Sequence, residues 1–188
     1  MDKQINKEKD DSEYAGVTTF TVPFDLGGFK ENITVVTNIS NSSKPTKKQI
    51  INQAIKYHVE GNISQAAKYY EYVIKLGSND PIILSNYGLI LRDQGKTKES
   101  EYLLRKAIKV KPDLPAPYSN LGEMLISLNR YKEAEILLRK AISLNPNSVE
   151  ALNNLAILLL NKGENDVSLK YFDKCLELTR ISMNQEHN

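Results

Sequence analysis

Residues 115–148 read PAPYSNLGEMLISLNRYKEAEILLRKAISLNPNS, and this stretch decides the fold. Its first half carries apolar residues at helical spacing from Tyr118 to Leu125, and its second half does so from Ala134 to Ala141. An Asn-Arg pair separates the two runs. An Asn-Pro pair closes the second run, because proline lacks the amide hydrogen that a helix needs. The stretch therefore predicts a helix, a tight turn and a second helix.

The same pattern recurs every 34 residues along most of the chain. Small residues recur in the second half of each unit, and a glycine or asparagine recurs at the turn between the two predicted helices. One helix pair cannot bury both of its apolar stripes, whereas stacked neighbours can, so this period predicts a solenoid of helix pairs. The four units are residues 47–80, 81–114, 115–148 and 149–182, and their turn positions are Gly61, Gly95, Asn129 and Gly163.

These positions resemble the tetratricopeptide repeat, whose pattern combines bulky, small and aromatic residues at fixed places and ends in proline. The resemblance implies an all-α, right-handed superhelical α-solenoid of antiparallel helix pairs. The first unit departs most from the pattern, with Ser78 where proline is expected, and the fourth has Arg180 there. The second unit matches at Leu84, Tyr87, Gly88, Leu91, Gly95, Ser100, Leu104, Ala107 and Pro112.

A leader of residues 1–46 precedes the repeats, and a tail of residues 183–188 follows them. Residues 1–13 are charged and poor in apolar side chains, which predicts a mostly disordered leader. Alternating apolar residues predict a short β-hairpin at about residues 17–36. The leader also resembles that of bacterial tetratricopeptide proteins, some of which continue into transferase domains. One further hypothesis is that the leader occupies the groove of the repeats and competes with a bound peptide.

In the tetratricopeptide family the first helix of each pair faces the concave side, so the resemblance places one asparagine per unit in a groove. An amide donates and accepts hydrogen bonds, so four in line suit the backbone of an extended peptide. The arrangement is similar to the asparagine ladder of O-linked N-acetylglucosamine transferases. The alternative interpretation is that these amides are solvated or link neighbouring first helices. The four residues are Asn52, Asn86, Asn120 and Asn154, and the other groove candidates are Ser85, Arg92, Ser119, Glu123 and Asn153.

Composition argues against several classes of function. The net charge is +2 without a long run of like charges, so nucleic acid is not an expected partner. No apolar stretch approaches the roughly 18 residues of a membrane span. Cys175 is the only cysteine, and no catalytic, cofactor or metal motif is found, so we expect neither an enzyme nor a cofactor. A cytoplasmic protein is expected.

Three functions remain open at this stage. The first is a non-catalytic scaffold that binds a protein or an extended peptide in the groove. The second is the recognition module of a transferase, O-GlcNAc-transferase-like or sulfotransferase-like, whose catalytic domain lies outside this chain. The third is self-assembly into a homo-oligomer through the C-terminal repeat, where Ile157 and Leu160 are expected to face outward without a following unit.

Overall fold

The structure is a computed structural model that describes residues 18–26, 29–37 and 45–185. The predicted disorder of residues 1–13 therefore lies outside the described residues. On a larger scale than the 34-residue repeats, the chain divides into two compact units: the first unit is Met1–Val73 and the second unit is Ile74–Asn188. The described elements are β1 (Thr18–Leu26), β2 (Phe29–Thr37), α1 (Lys47–Val59), α2 (Ile63–Lys75), α3 (Pro81–Asp93), α4 (Thr97–Val110), α5 (Pro115–Ser127), α6 (Tyr131–Leu144), α7 (Val149–Asn161) and α8 (Asn165–Gln185).

The first unit contains a two-stranded sheet and one helix pair. β1 and β2 are antiparallel, with a register that runs from Thr18 opposite Thr37 to Leu26 opposite Phe29. α1 begins at a capping box. The side-chain oxygen of Thr46 accepts a hydrogen bond from the backbone amide of Gln49 at 3.3 Å, and Gln49 Oε1 accepts one from the backbone amide of Thr46 at 2.7 Å. α1 and α2 are joined by a polar contact between His58 Nδ1 and the Tyr70 hydroxyl, 3.1 Å apart.

The second unit contains three helix pairs, α3–α4, α5–α6 and α7–α8. Proline supplies the first residue of α3, and the side chain of Asp80 accepts the amides of the first turn. A serine of each outer pair then fastens the two helices: Ser100 Oγ donates to the carbonyl of Gly88, and Ser168 Oγ donates to that of Ala156, both at 2.7 Å. The equivalent bonds show that the same local geometry is repeated along the unit.

Close approach of the helices explains the glycines inside α3 and α5. A Cβ placed on Gly122 would lie 2.7 Å from Leu138 Cγ, and one placed on Gly88 would lie 3.0 Å from Leu104 Cγ. The turn inside each helix pair of this unit, between its first and second helix, needs a left-handed residue: φ is 76° at Gly95, 58° at Asn129 and 81° at Gly163. This requirement explains the glycine or asparagine at every turn.

One continuous core joins the three pairs of the second unit. Side chains from α4, α5, α6 and α7 meet in a single cluster in which every member is almost completely buried. The predicted tetratricopeptide-type solenoid of helix pairs is therefore confirmed. The cluster comprises Leu104, Leu121, Met124, Leu125, Ala134, Leu138, Leu155, Leu158 and Leu159.

α8 is longer than the other second helices. It has 21 residues, whereas α4 and α6 have 14 each. It passes residue 182, the predicted end of the fourth 34-residue repeat, and continues to Gln185. The physical reason is that Arg180 stands where Pro112 and Pro146 close the second and third repeats, so no proline interrupts the backbone hydrogen bonds of α8.

Candidate functional site

The first helices of the second unit, α3, α5 and α7, lie side by side and form one face. We call this the first-helix face. It contains a cleft of about 590 Å³ in which charged, amide and aliphatic side chains meet. Of the predicted groove residues, Arg92, Glu123, Asn153 and Asn154 lie on the cleft. The lining residues are Arg92, Asp93, Glu123, Ile126, Ser127, Asn153, Asn154 and Ile157.

Two of the predicted asparagines connect neighbouring first helices. Asn120 Nδ2 on α5 donates to Ser85 Oγ on α3 at 3.0 Å, and Asn154 Nδ2 on α7 donates to Ser119 Oγ on α5 at 3.4 Å. Asn120 is only 5% exposed and Asn154 only 6%. The serines are buried as well. These four residues therefore form the interhelical links that the alternative interpretation described.

The links use only part of the hydrogen-bonding capacity of each amide. An asparagine side chain has two N–H donors and one carbonyl acceptor, and a bond to serine uses a single donor. Asn154 borders the cleft, so its remaining groups are next to the space where a ligand would lie. Asn86 is half-buried on α3, and Asn52 is exposed on α1 of the first unit. Two of the four asparagines are thus buried in equivalent links, one is half-buried and one is exposed.

An ion pair crosses the cleft between α3 and α5. Arg92 Nη1 lies 2.7 Å from Glu123 Oε2, and Arg92 Nε donates to Asp93 at 3.0 Å. Burial favours the neutral form of Arg92, but the hydrogen bonds to Glu123 and Asp93 outweigh it and raise the pKa of the guanidinium. Arg92 therefore stays charged, and a ligand carboxylate would have to compete with two protein carboxylates for it.

Two cleft residues, Asp93 and Ser127, were missed by the sequence analysis. Both lie at the last position of a first helix and are 34 residues apart, so the repeat period itself could have identified them. The role of Ser85 and Ser119 as acceptors for the asparagines was likewise not predicted. Their signal is a serine directly before Asn86 and directly before Asn120.

The described residues hold no group of three histidine, cysteine or acidic side chains that could bind a metal ion. Within the part of the chain that the structure describes, no helix has both the length and the apolar character to cross a membrane.

Solved structures with the same fold include two of MamA and one of PilF. A crystal structure of MamA is 19% identical, with a TM-score of 0.63 over 74% of this chain and 81% of that one. MamA 41-end from Desulfovibrio magneticus RS-1 is 19% identical, with a TM-score of 0.61 over 72% and 76%. PilF of Pseudomonas aeruginosa is 22% identical, with a TM-score of 0.63 over 71% and 61%. At these identities the likeness concerns the fold alone.

Comparison with family models gives a consistent assignment. Residues 51–113 match the YpiA-like, C-terminal tetratricopeptide repeats, and residues 115–148 and 137–166 each match a tetratricopeptide repeat model. A search of curated proteins found no match. The three matches together cover residues 51–113 and 115–166, and the chain belongs to the tetratricopeptide repeat proteins.

Proposed function

We propose that the chain is a non-catalytic protein-interaction scaffold whose first-helix face binds an extended peptide or protein segment. The observation that carries the proposal is the cleft between α3, α5 and α7, where the Arg92–Glu123 ion pair and the amide of Asn154 lie beside Ile126 and Ile157. Aliphatic surface supplies binding energy and convergent polar groups supply orientation, which is the usual composition of a ligand site. Membership of the tetratricopeptide family supports the same function.

The buried asparagine–serine links refine how such a peptide would be held. Asn120 and Asn154 are fixed in position by Ser85 and Ser119, so no side-chain freedom is lost when a peptide binds. Their remaining N–H and carbonyl groups would bond to the peptide backbone. Side-chain recognition would come from Arg92, Glu123 and Asn153, and Asn86 on α3 is a further candidate for a backbone contact; a peptide-binding role for Asn52 on α1 stays a prediction.

Two further functions from the sequence analysis have different standing. The described residues contain no observation that favours a recognition module for an O-GlcNAc-transferase-like or sulfotransferase-like enzyme. That function stays a prediction, and so does the cytoplasmic location. Self-assembly through the C-terminal repeat is favoured by the exposed apolar side chains of α8, Leu169, Leu176 and Met183. No role is proposed for nucleic acid, a membrane or a cofactor.

Selection of peptides from a random phage-displayed library on the wild-type protein tests the proposed function. The selected synthetic peptides are then titrated against Asn154→Ala, Glu123→Ala and the control Lys132→Ala, whose exposed side chain lies on α6. We expect the two cleft variants to bind at least about tenfold more weakly, which corresponds to roughly 1.4 kcal/mol, and the control to bind like wild type. Thermal unfolding of each variant serves as the check that it is folded. Equal affinity of the cleft variants and wild type would refute the proposal.

A further inference from the structure

α8 carries an exposed apolar strip along one side. Leu169, Leu176 and Met183 are spaced seven residues apart, which places them on the same side of a helix, and half-buried Phe172 lies between the first two. Leu169, Leu176 and Met183 are 61%, 69% and 58% exposed, respectively. We call these four residues the α8 strip. None of them lines the cleft of the first-helix face.

The matching positions in the earlier second helices are covered by the next helix pair. Ile108 on α4 and Ile142 on α6 stand where Leu176 stands on α8, and both pack against the core that joins successive pairs. Glu101 and Glu135 stand where Leu169 stands.

Each of these two glutamates accepts a hydrogen bond from the next helix pair. Glu101 accepts from Arg130 at 2.9 Å, and Glu135 accepts from Lys162 at 2.9 Å. α8 therefore has an exposed leucine where α4 and α6 have a glutamate that binds the next helix pair. The substitution points to a covered surface and leaves open only what covers it.

The charges beside the strip identify the occupant. Asp173 and Arg180 are exposed on one side of the strip, two turns apart, and among residues 45–185 neither makes an ion pair. We propose that a second copy of this chain covers the α8 strip, with the two α8 helices antiparallel about a twofold axis at Leu176. That axis places Leu169 opposite Met183 of the second copy, and it places Asp173, three residues before the axis, within one residue of the position opposite Arg180 of the second copy, four residues after it.

The length of α8 agrees with this symmetry. An antiparallel pair centred on Leu176 needs helix on both sides of that residue, and α8 has 11 residues before it and nine after it. A helix that ended like α4, with 14 residues, would stop near residue 178 and would provide neither Arg180 nor Met183. The part of α8 beyond residue 178 thus supplies Arg180 and Met183, which the twofold axis brings to Asp173 and Leu169 of the second copy.

The size of the strip sets the strength of the dimer. A helix of 21 residues is about 31 Å long at 1.5 Å per residue, so one face about 10 Å wide offers roughly 300 Å² per copy. Standard interfaces bury about 800 Å² per partner, and weak, transient ones bury less. The dimer is therefore expected to be weak, reversible and concentration-dependent.

Sedimentation equilibrium from low micromolar to submillimolar protein tests the dimer. Wild type is expected to shift from monomer to dimer over this range, and Leu176→Glu to stay monomeric throughout. Ile136→Glu is the matched control, because Ile136 is 70% exposed on α6 and lies outside the strip, and it should dimerise like wild type. A wild-type protein that is monomeric at the highest concentration, or a dimer unaffected by Leu176→Glu, would overturn the proposal.

Charge reversal and cross-linking test the antiparallel arrangement. Asp173→Arg and Arg180→Asp should each weaken the dimer several-fold by placing like charges opposite each other, and the double variant should restore it. In proteins that also carry Cys175→Ser, oxidation of a mixture of the Leu169→Cys and Met183→Cys variants should give a disulfide-linked dimer, whereas either variant alone should give little. Cross-links of Leu169→Cys with itself would refute the twofold axis at Leu176.

The dimer and the proposed peptide site fail independently. A monomeric Leu176→Glu protein that still binds the selected peptides would support the assignment of the two functions to separate faces. Loss of peptide binding in that variant, with its fold intact, would contradict the separation. Capture of the strip by the leader of the same chain would leave wild type monomeric and would refute the dimer.

Discussion

Gly122 lies where α5 comes closest to Leu138 of α6, and the close contact sets the cost of adding one methyl group. Gly122→Ala places its Cβ 2.7 Å from a buried branching carbon, and overpacking of this kind costs about 1–3 kcal/mol. The gain in helix propensity returns about 1 kcal/mol. We expect the free energy of unfolding in urea to fall by about 1 kcal/mol. Gly88→Ala, with its 3.0 Å contact to Leu104, should lose less; a stabilised Gly122→Ala would contradict the packing argument.

Ser119 is the acceptor for a nearly buried amide, so its hydroxyl matters more than its size suggests. Ser119→Ala leaves Asn154 Nδ2 without this partner, and a buried polar group without a partner costs about 1–3 kcal/mol. We expect a loss of that order in urea unfolding. Ser143→Ala is the control, because Ser143 Oγ is exposed and bonds only to a carbonyl of its own helix. A loss no larger than in the control would show that the link does not stabilise the fold.

Consecutive second helices are tied by ion pairs. The carboxylate of Glu101 on α4 accepts from Arg105 and from Arg130, which directly precedes α6. Burial raises the pKa of Glu101, but the hydrogen bonds from the two arginines outweigh it, so the net pKa is lowered. The hydrogen bonds from Lys162 and Arg139 likewise lower the pKa of Glu135. Both carboxylates therefore prefer to be charged in the folded protein.

The direction of these pKa shifts fixes a pH dependence. A carboxyl whose pKa is lower in the folded state stabilises the protein above its ordinary value of 4.5, and the stabilisation is lost as the pH falls below it. We expect the urea midpoint of wild type to fall more steeply from pH 6 to pH 3 than that of the double variant Glu101→Gln, Glu135→Gln. High salt should reduce the difference at neutral pH. Identical pH profiles would rule out a contribution from these pairs.

The repeat period was enough to predict most elements but not their side-chain partners. The Asp80-Pro81 start of α3 and the Asn145-Pro146 end of α6 follow from backbone chemistry that is local to those residues. The partner of Asn120 is not local. An asparagine at this position suits a bound peptide and a neighbouring serine equally well, and the distance between α3 and α5 decides between them. The continuation of α8 could have been predicted, because no proline follows Leu178.

The second unit, taken as a whole, buries its core between successive pairs, so its ends should be less stable than its middle. α5–α6 has a helix pair on each side, whereas α7–α8 has one only on its N-terminal side within residues 74–185. Stability in such an array is a sum over pairs and their interfaces. We expect amide hydrogen exchange to be slowest in α5 and α6 and fastest in α8. Equal protection across the three pairs would show that the unit opens only as a whole.

Cys175 offers a second measure of the same gradient. It is the only cysteine of the chain, it is buried on α8, and burial raises the pKa of its thiol, so labelling requires α8 to open. Ser168→Ala removes the bond from α8 to the carbonyl of Ala156, and loss of about 1 kcal/mol should speed labelling roughly fivefold. Ser100→Ala removes the identical bond in the first pair of the unit and should change the labelling rate little, provided that the pairs open separately. Equal acceleration by both variants would mean that the three pairs unfold together.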